Sequence, residues 1–239
     1  MQGQSAARCH AGTAQRSSED ALLARDDLHF WAIADGLGGH CDGKWAANAV
    51  IDSIDHAVRE ARTKEAPPIT DAIASGHAKI NEVAMRLGGP IATTLAALGF
   101  RQGQAHGVWV GNCRVYRLRA NQISLMTEDH SVASELVARG EMDPLLADSH
   151  PLAKVLTQAI GSKTPPIPAR FVDKAMVGDR YLLCSNGLPR ALSEADIESQ
   201  LGKGTPEEAA DRLIGLALSH GAPDNLGVIV IDNLDGGRC

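Results

Sequence analysis

The chain has 239 residues, 44% hydrophobic and 22% charged, with 24 glycines at many candidate turns and a formal charge of −6. This composition fits one soluble globular domain over residues 1–239, and an acidic balance without basic runs argues against nucleic acid or an anionic membrane surface as the main partner. No run reaches the ~18 apolar residues a membrane span needs, and MQGQSAARCH lacks the apolar core of a signal peptide, so a cytoplasmic protein without a membrane span is expected.

The first strand signal, Leu28 to Ala34, runs into Asp35 and then Gly36-Leu37-Gly38-Gly39-His40, a glycine cluster that reads as a strand-to-helix turn. Phosphate-loop readings of this segment fail at defined positions. A dinucleotide loop wants glycine or alanine where Cys41 stands, and a nucleotide P-loop needs Ser or Thr where Trp45 sits. Helical periodicity follows in Trp45 to Lys64, where Trp45, Ala49, Ile51, Ile54 and Val58 can share a face. Pro67 and Pro68 separate it from a second helix over Ile69 to Arg86.

Strand signals then recur at Ala92 to Arg101, Ala105 to Val110, Val115 to Arg119 and Gln122 to Thr127. The tight turn candidates Arg101-Gln102-Gly103-Gln104 and Arg119-Ala120-Asn121 predict antiparallel pairing among them. Ser131 to Arg139 and Pro151 to Ile160 read as helices around an acidic loop through Asp143, Pro144 and Asp148. Strands are expected at Arg170 to Ala175, Arg180 to Cys184 and Asn225 to Ile231. The last helix begins after Thr205-Pro206-Glu207-Glu208 and ends near Gly221. The order lacks strict βαβ alternation, which predicts an α+β fold with two antiparallel sheets and helices outside.

The five cysteines are scattered, without the paired short spacing of a zinc knuckle, and read as reduced structural thiols. Leu183 lies where a serine-hydrolase elbow wants glycine, so Ser185 reads as structural. Three strings remain: WAIADGLGGH around Asp35, YLLCSNGL around Asn186 and GAPDNLGVIVI around Asp224. Each delivers an oxygen-bearing side chain to the end of an apolar run, where a hard cation can collect several such oxygens. Divalent ions held close together activate water against phosphoesters.

These strings, with the Ala92-Thr93-Thr94-Leu95 strand, VGNCRVYRL at 110–118, LMTEDHS at 125–131, HPLAKVLTQAIG at 150–161 and GDRYLLCSNGL at 178–188, resemble in residues and order the type 2C metal-dependent protein serine/threonine phosphatases, particularly compact single-domain bacterial members. The resemblance implies an αββα sandwich of two antiparallel sheets flanked by helices. It implies two divalent ions, Mn2+ or Mg2+, with Asp35 bridging them, the Gly36 carbonyl on one and Asp224 on the other. The Glu19-Asp20 pair would hold ion-bound waters or help ligate one ion, and His40 would protonate the leaving oxygen. The implied reaction is attack of a metal-bridging hydroxide on phosphoserine or phosphothreonine in a protein substrate. The implied setting is a monomer opposing a serine/threonine kinase.

Three departures touch that chemistry. Asn186 replaces an aspartate ligand. Asn112 replaces the aspartate that would support a third ion, which leaves two ions expected. Gln15 stands where the phosphate-binding arginine belongs, with Arg16 adjacent as its substitute. The expected activity is therefore a phosphatase with weakened metal and phosphate binding. The alternative is a catalytically impaired pseudophosphatase acting as a binding or regulatory module, and a third reading gives the loop from Gly140 to His150 to partner recognition.

Overall fold

The computed structural model describes residues 3–38, 41–61 and 68–234. Its strands are β1 (Gly3–His10), β2 (Asp20–Arg25), β3 (Phe30–Leu37), β4 (Ala92–Thr93), β5 (Leu95–Arg101), β6 (Gln104–Val110), β7 (Arg114–Arg119), β8 (Gln122–Leu125), β9 (Ala169–Lys174), β10 (Arg180–Cys184) and β11 (Leu226–Asn233). Helices are α1 (Cys41–Glu60), α2 (Ile69–Leu87), α3 (Val132–Ala138), α4 (Pro144–Ala147), α5 (Gly187–Ala191), α6 (Glu194–Leu201) and α7 (Pro206–Ser219).

The strands form two antiparallel sheets, one in the order β1-β11-β10-β7-β8 and one in the order β2-β3-β5-β6-β9 with β4 paired to β3. Period-two alternation splits every central strand between two cores. Trp31 and Ile33 of β3, Ala96 and Leu98 of β5, Tyr181 and Leu183 of β10, and Ile229 and Ile231 of β11 fill the space between the sheets. Their neighbours face outward to helices: Ala32, Ala34, Leu95 and Ala97 against α1 and α2, and Leu182, Cys184, Val228 and Val230 against α5 to α7. The result is the expected αββα sandwich, each sheet buried on both faces.

Both predicted turns are two-residue hairpins. Gln102-Gly103 and Ala120-Asn121 all have positive φ, which matches the right-handed twist of the flanking strands. The first helix begins earlier than the Trp45 expected from periodicity, and its buried stripe runs through Ala46, Ala47, Val50, Ile54, Ala57 and Val58. Trp45 is exposed instead. Pro67 and residues 62–64 lie outside the described residues.

Two expectations are corrected. Pro151 to Ile160 is not a helix: only a 3-10 turn over Pro151–Lys154 forms. The backbone beyond it is committed elsewhere, Ile160 exchanging both hydrogen bonds with Thr93 (2.8 Å each) and Thr157 N–H donating to the His130 carbonyl (2.9 Å). Leu28 likewise belongs to a 3-10 turn, Asp26–Leu28, that precedes β3.

Cys113 and Cys184 are fully buried thiols and Cys9 is an exposed one. The Cys41 side chain and Cys239 lie outside the described residues. Among the described residues no helix is long and apolar enough to cross a membrane.

Leu98 has no exposure in the inter-sheet core, so Leu98→Ala should cost about 2–5 kcal/mol of unfolding free energy. The exposed Met85→Ala should stay within about 0.5 kcal/mol of the parent. Urea denaturation with both variants checks the contrast.

Candidate active site

The site lies at one end of the sandwich, where four chain segments stop. Strand β3 carries Asp35 and Gly36 to its last turns, and Asp20, the first residue of β2, is paired directly opposite Asp35. From the other sheet, the end of β10 leads into Ser185 and Asn186, and the segment before β11 supplies Asp224 and Asn225. Glu19, Asp35, Asn112, Asn186 and Asp224 all line one cavity of about 740 Å³.

Each acid is fixed from behind by residues that the sequence reading treated as strand or structure. The Asp35 carbonyl accepts from Thr93 Oγ1 and from Thr94 N–H, both at 2.9 Å. Ser185, fully buried, donates from Oγ to Asp20 Oδ2 (2.8 Å) and accepts at the same oxygen from Gly227 N–H (2.8 Å), tying the two sheets together beneath the site. Asn225 Oδ1 accepts from Glu19 N–H (2.7 Å), and its Nδ2 donates to the Ala11 carbonyl (3.2 Å). Two glycines permit the close approach: a Cβ on Gly36 would sit 2.1 Å from the Gly43 carbonyl oxygen, and one on Gly187 would sit 2.0 Å from the Asn225 carbonyl oxygen.

The electrostatics are those of acids crowded out of water. Burial first, then the charges of Asp20, Asp224 and Glu19, push Asp35 well above the ordinary carboxylate range. Asp20 is pushed up to about 7 by burial, against the Ser185 hydrogen bond, which lowers it. Asp20 Oδ1 and Asn112 Oδ1 are buried without a hydrogen-bond partner. Oxygen donors, net negative charge and orphaned buried oxygens suit a hard divalent cation. Asp35, Asp20, Glu19, the Gly36 carbonyl, Asn186 and Asp224 are the groups available to hold one.

As the side chains stand, no three of the described His, Cys, Asp and Glu residues converge on one point. Asp224 is engaged instead by Arg190 of α5, whose Nη1 donates to Asp224 Oδ2.

Gln15 and Arg16 are both exposed in the turn-and-bend connection between β1 and β2, and of the two Gln15 lies on the cavity wall. His40 lies outside the described residues. Among residues the sequence reading passed over, Arg114 is prominent. Its buried guanidinium bonds both oxygens of Asp129 (2.9 Å each) and reaches Asp148 (2.6 Å), so the 140–150 loop becomes a cavity wall. An arginine inside a β-strand amid apolar residues was the available signal.

No family model matches the chain. The chain is 34% identical over 234 residues to the serine/threonine protein phosphatase PstP of Mycobacterium tuberculosis, matching 96% of this chain but spanning 45% of that protein. The crystal structure of PstP/Ppp from that organism superposes with a TM-score of 0.88 at 33% identity, covering 96% of this chain and 98% of that one. The serine/threonine phosphatase stp of Listeria innocua is 32% identical over 217 residues, 87% of this chain and 86% of its own length. A PstP catalytic domain in complex with two manganese ions superposes with a TM-score of 0.87 at 31% identity, covering 98% and 99%. With this fold, this order of motifs and a full-length relative above 30% identity, the chain belongs to the type 2C, or PPM, family of metal-dependent serine/threonine protein phosphatases.

Proposed function

We propose that this chain hydrolyses phosphoserine and phosphothreonine in protein substrates, opposing a serine/threonine kinase, with two divalent ions, manganese or magnesium, at the Asp35 site. The observation that carries this reading is the Asp20–Asp35 pair, two buried carboxylates paired across β2 and β3, with Asp35 on the cavity wall. Two like charges at such a spacing are sustained only by protons or cations. The family relationship makes the cation the working state.

When bound, hard divalent ions lower the pKa of water and offset charge on phosphoryl oxygens. The protein supplies placement. Asp35, fixed through its backbone by Thr93 and Thr94, and the Gly36 carbonyl next to it would hold the ions. Asp20 and Glu19 would accept hydrogen bonds from ion-bound water and orient it towards phosphorus. Asp224 would supply a further carboxylate from the same cavity. Asn186 offers an amide oxygen without charge, and Gln15 offers amide N–H donors to the phosphoryl group where a guanidinium would form two charge-assisted bonds. His40 is assigned to protonation of the leaving oxygen on the family resemblance alone.

Phosphothreonine-peptide hydrolysis measured against manganese concentration tests the reading directly. Turnover should follow metal, vanish with chelator and fall by at least about a hundredfold in Asp35→Asn, whose amide cannot carry the bridging charge. Absence of turnover in the parent at saturating manganese would overturn it. Asn186→Asp should lower the half-saturating manganese concentration by about tenfold, equivalent to ~1.4 kcal/mol.

The acid pair also predicts how the metal-free fold responds to pH. Asp20, and Asp35 more strongly, hold protons in the folded chain that the unfolded chain releases near the ordinary value of 3.8. The folded state binds more protons across the window from 3.8 to about 7, so the contribution of the pair is fully present below it and is lost as pH rises through it. In chelator, the melting temperature should fall between about pH 5 and about pH 8, and Asp20→Asn should flatten that slope. Manganese should restore more stability at the upper pH, since ion binding must displace those protons. Calorimetric melts across pH read all three effects.

A further inference from the structure

Arg190 lies on the rim of the candidate metal centre. It sits on α5, the short helix that follows Asn186, and lines the same cavity as Asp35 and Asp224. Its guanidinium pairs with Asp224, and both side chains are about two-thirds shielded from solvent, 33% and 34% exposed. The pairing is set by rigid parts. Leu188 and Leu192 anchor α5 in the core against α7, and Gly187 rests directly on the Asn225 carbonyl with the Asp224 Cβ close by. The distance from the Arg190 backbone to Asp224 is therefore built into the fold.

The other cavity-lining arginine is committed differently. Arg114 is buried and held by Asp129 and by Asp148 of the 140–150 loop. Asn186, immediately before α5, carries no charge that could hold Arg190 away from Asp224. With Asp224 occupied by Arg190, no three described acids converge on one point.

We propose that Arg190 is an intramolecular counter-cation for Asp224, so that a divalent ion at that carboxylate binds in exchange for the guanidinium. The inference rests on the reading of Asp224 as part of a metal centre. A guanidinium forming this pair in the metal-free chain raises the metal concentration needed for loading, because the ion must break the pair and then sit beside a displaced positive charge. Arg190 is thus a positioning residue that sets metal demand, acting through Asp224. It adds to the neutral amide at 186 in making the site hard to fill.

Calorimetric titration of manganese into the metal-free chain, with no substrate present, tests this on the parent, Arg190→Ala, Arg190→Lys and Asp224→Asn. Arg190→Ala should bind manganese up to about fivefold more tightly than the parent, the ceiling of a partly exposed ion pair. Arg190→Lys should stay near the parent, since the charge is kept. Asp224→Asn should weaken binding whatever stands at 190, and combined with Arg190→Ala it should erase the gain. Equal or weaker binding by Arg190→Ala, with Asp224→Asn still harmful, would overturn the counter-cation and leave the metal centre intact. No manganese binding by the parent or by Arg190→Ala would overturn both.

Discussion

Everything at the functional end of this molecule depends on one unfavourable contact: two carboxylates, Asp20 and Asp35, held opposite each other across an antiparallel strand pair and buried to 7% and 8% exposure. Each is desolvated and each repels the other, so neither is comfortable as an anion without a proton or a cation. The fold forces them together. β3 is the most apolar strand of its sheet, buried on both faces, and its register with β2 runs without interruption from Arg25↔Phe30 to Asp20↔Asp35. A slip of one residue would turn Trp31 and Ile33 out of the inter-sheet core and into the helix-facing space that Ala32 and Ala34 fill, so the core between the sheets fixes where the acids meet.

The arrangement is closed by two buried polar side chains at strand ends of the second sheet and by two close main-chain approaches. Ser185 at the end of β10 joins Asp20 to Gly227 of β11, and Asn225 ties Glu19 to the start of β11 while its amide holds Ala11. Gly36 against Gly43 and Gly187 against Asn225 leave no room for a side chain. The site is therefore a junction of strand ends and helix starts, with the glycines marking where main chains must nearly touch.

This explains what the sequence disclosed. β3, β10 and β11 were legible because strands buried on both faces read as continuous apolar runs ending in Asp35, Asn186 and, on the leading side, Asp224. The hairpins were legible from Gln102-Gly103 and Ala120-Asn121. β1 and β2 were not: GQSAARCH carries almost no apolar signal and is ordered by its full ladder against β11, while DALLAR is short and starts on the acid pair. α6 was missed although Ser193 and Asp196 form a capping box, because its apolar stripe is only Ile197 and Leu201. The 151–160 segment failed for the opposite reason, since helix-like spacing was overridden by pairing with Thr93 and His130. The placement of Gln15 over Arg16, and the partners of Arg114, depend on contacts between residues distant in the chain.

The charge pattern around the cavity then follows a single logic. Where the family pattern has carboxylates at 112 and 186, this chain has amides, and it places Arg190 beside the remaining outer acid. Four carboxylates, Glu19, Asp20, Asp35 and Asp224, are left to attract cations, and Asp224 is the one that Arg190 engages. Arg114 does not relieve them, because its own charge is consumed by Asp129 and by Asp148 of the 140–150 loop. Burial disfavours that guanidinium's charge, but the two carboxylates outweigh it and hold it protonated. One arginine thus secures the loop that walls the cavity and the other screens an acid within it. Their difference lies in exposure: Arg114 is buried at 8% and cannot leave its partners without stranding a charge, whereas Arg190, a third exposed, can swing into water at small cost. A displaceable cation at the outer acid and a fixed one behind the loop divide the cavity into a side that exchanges ligands and a side that keeps its shape.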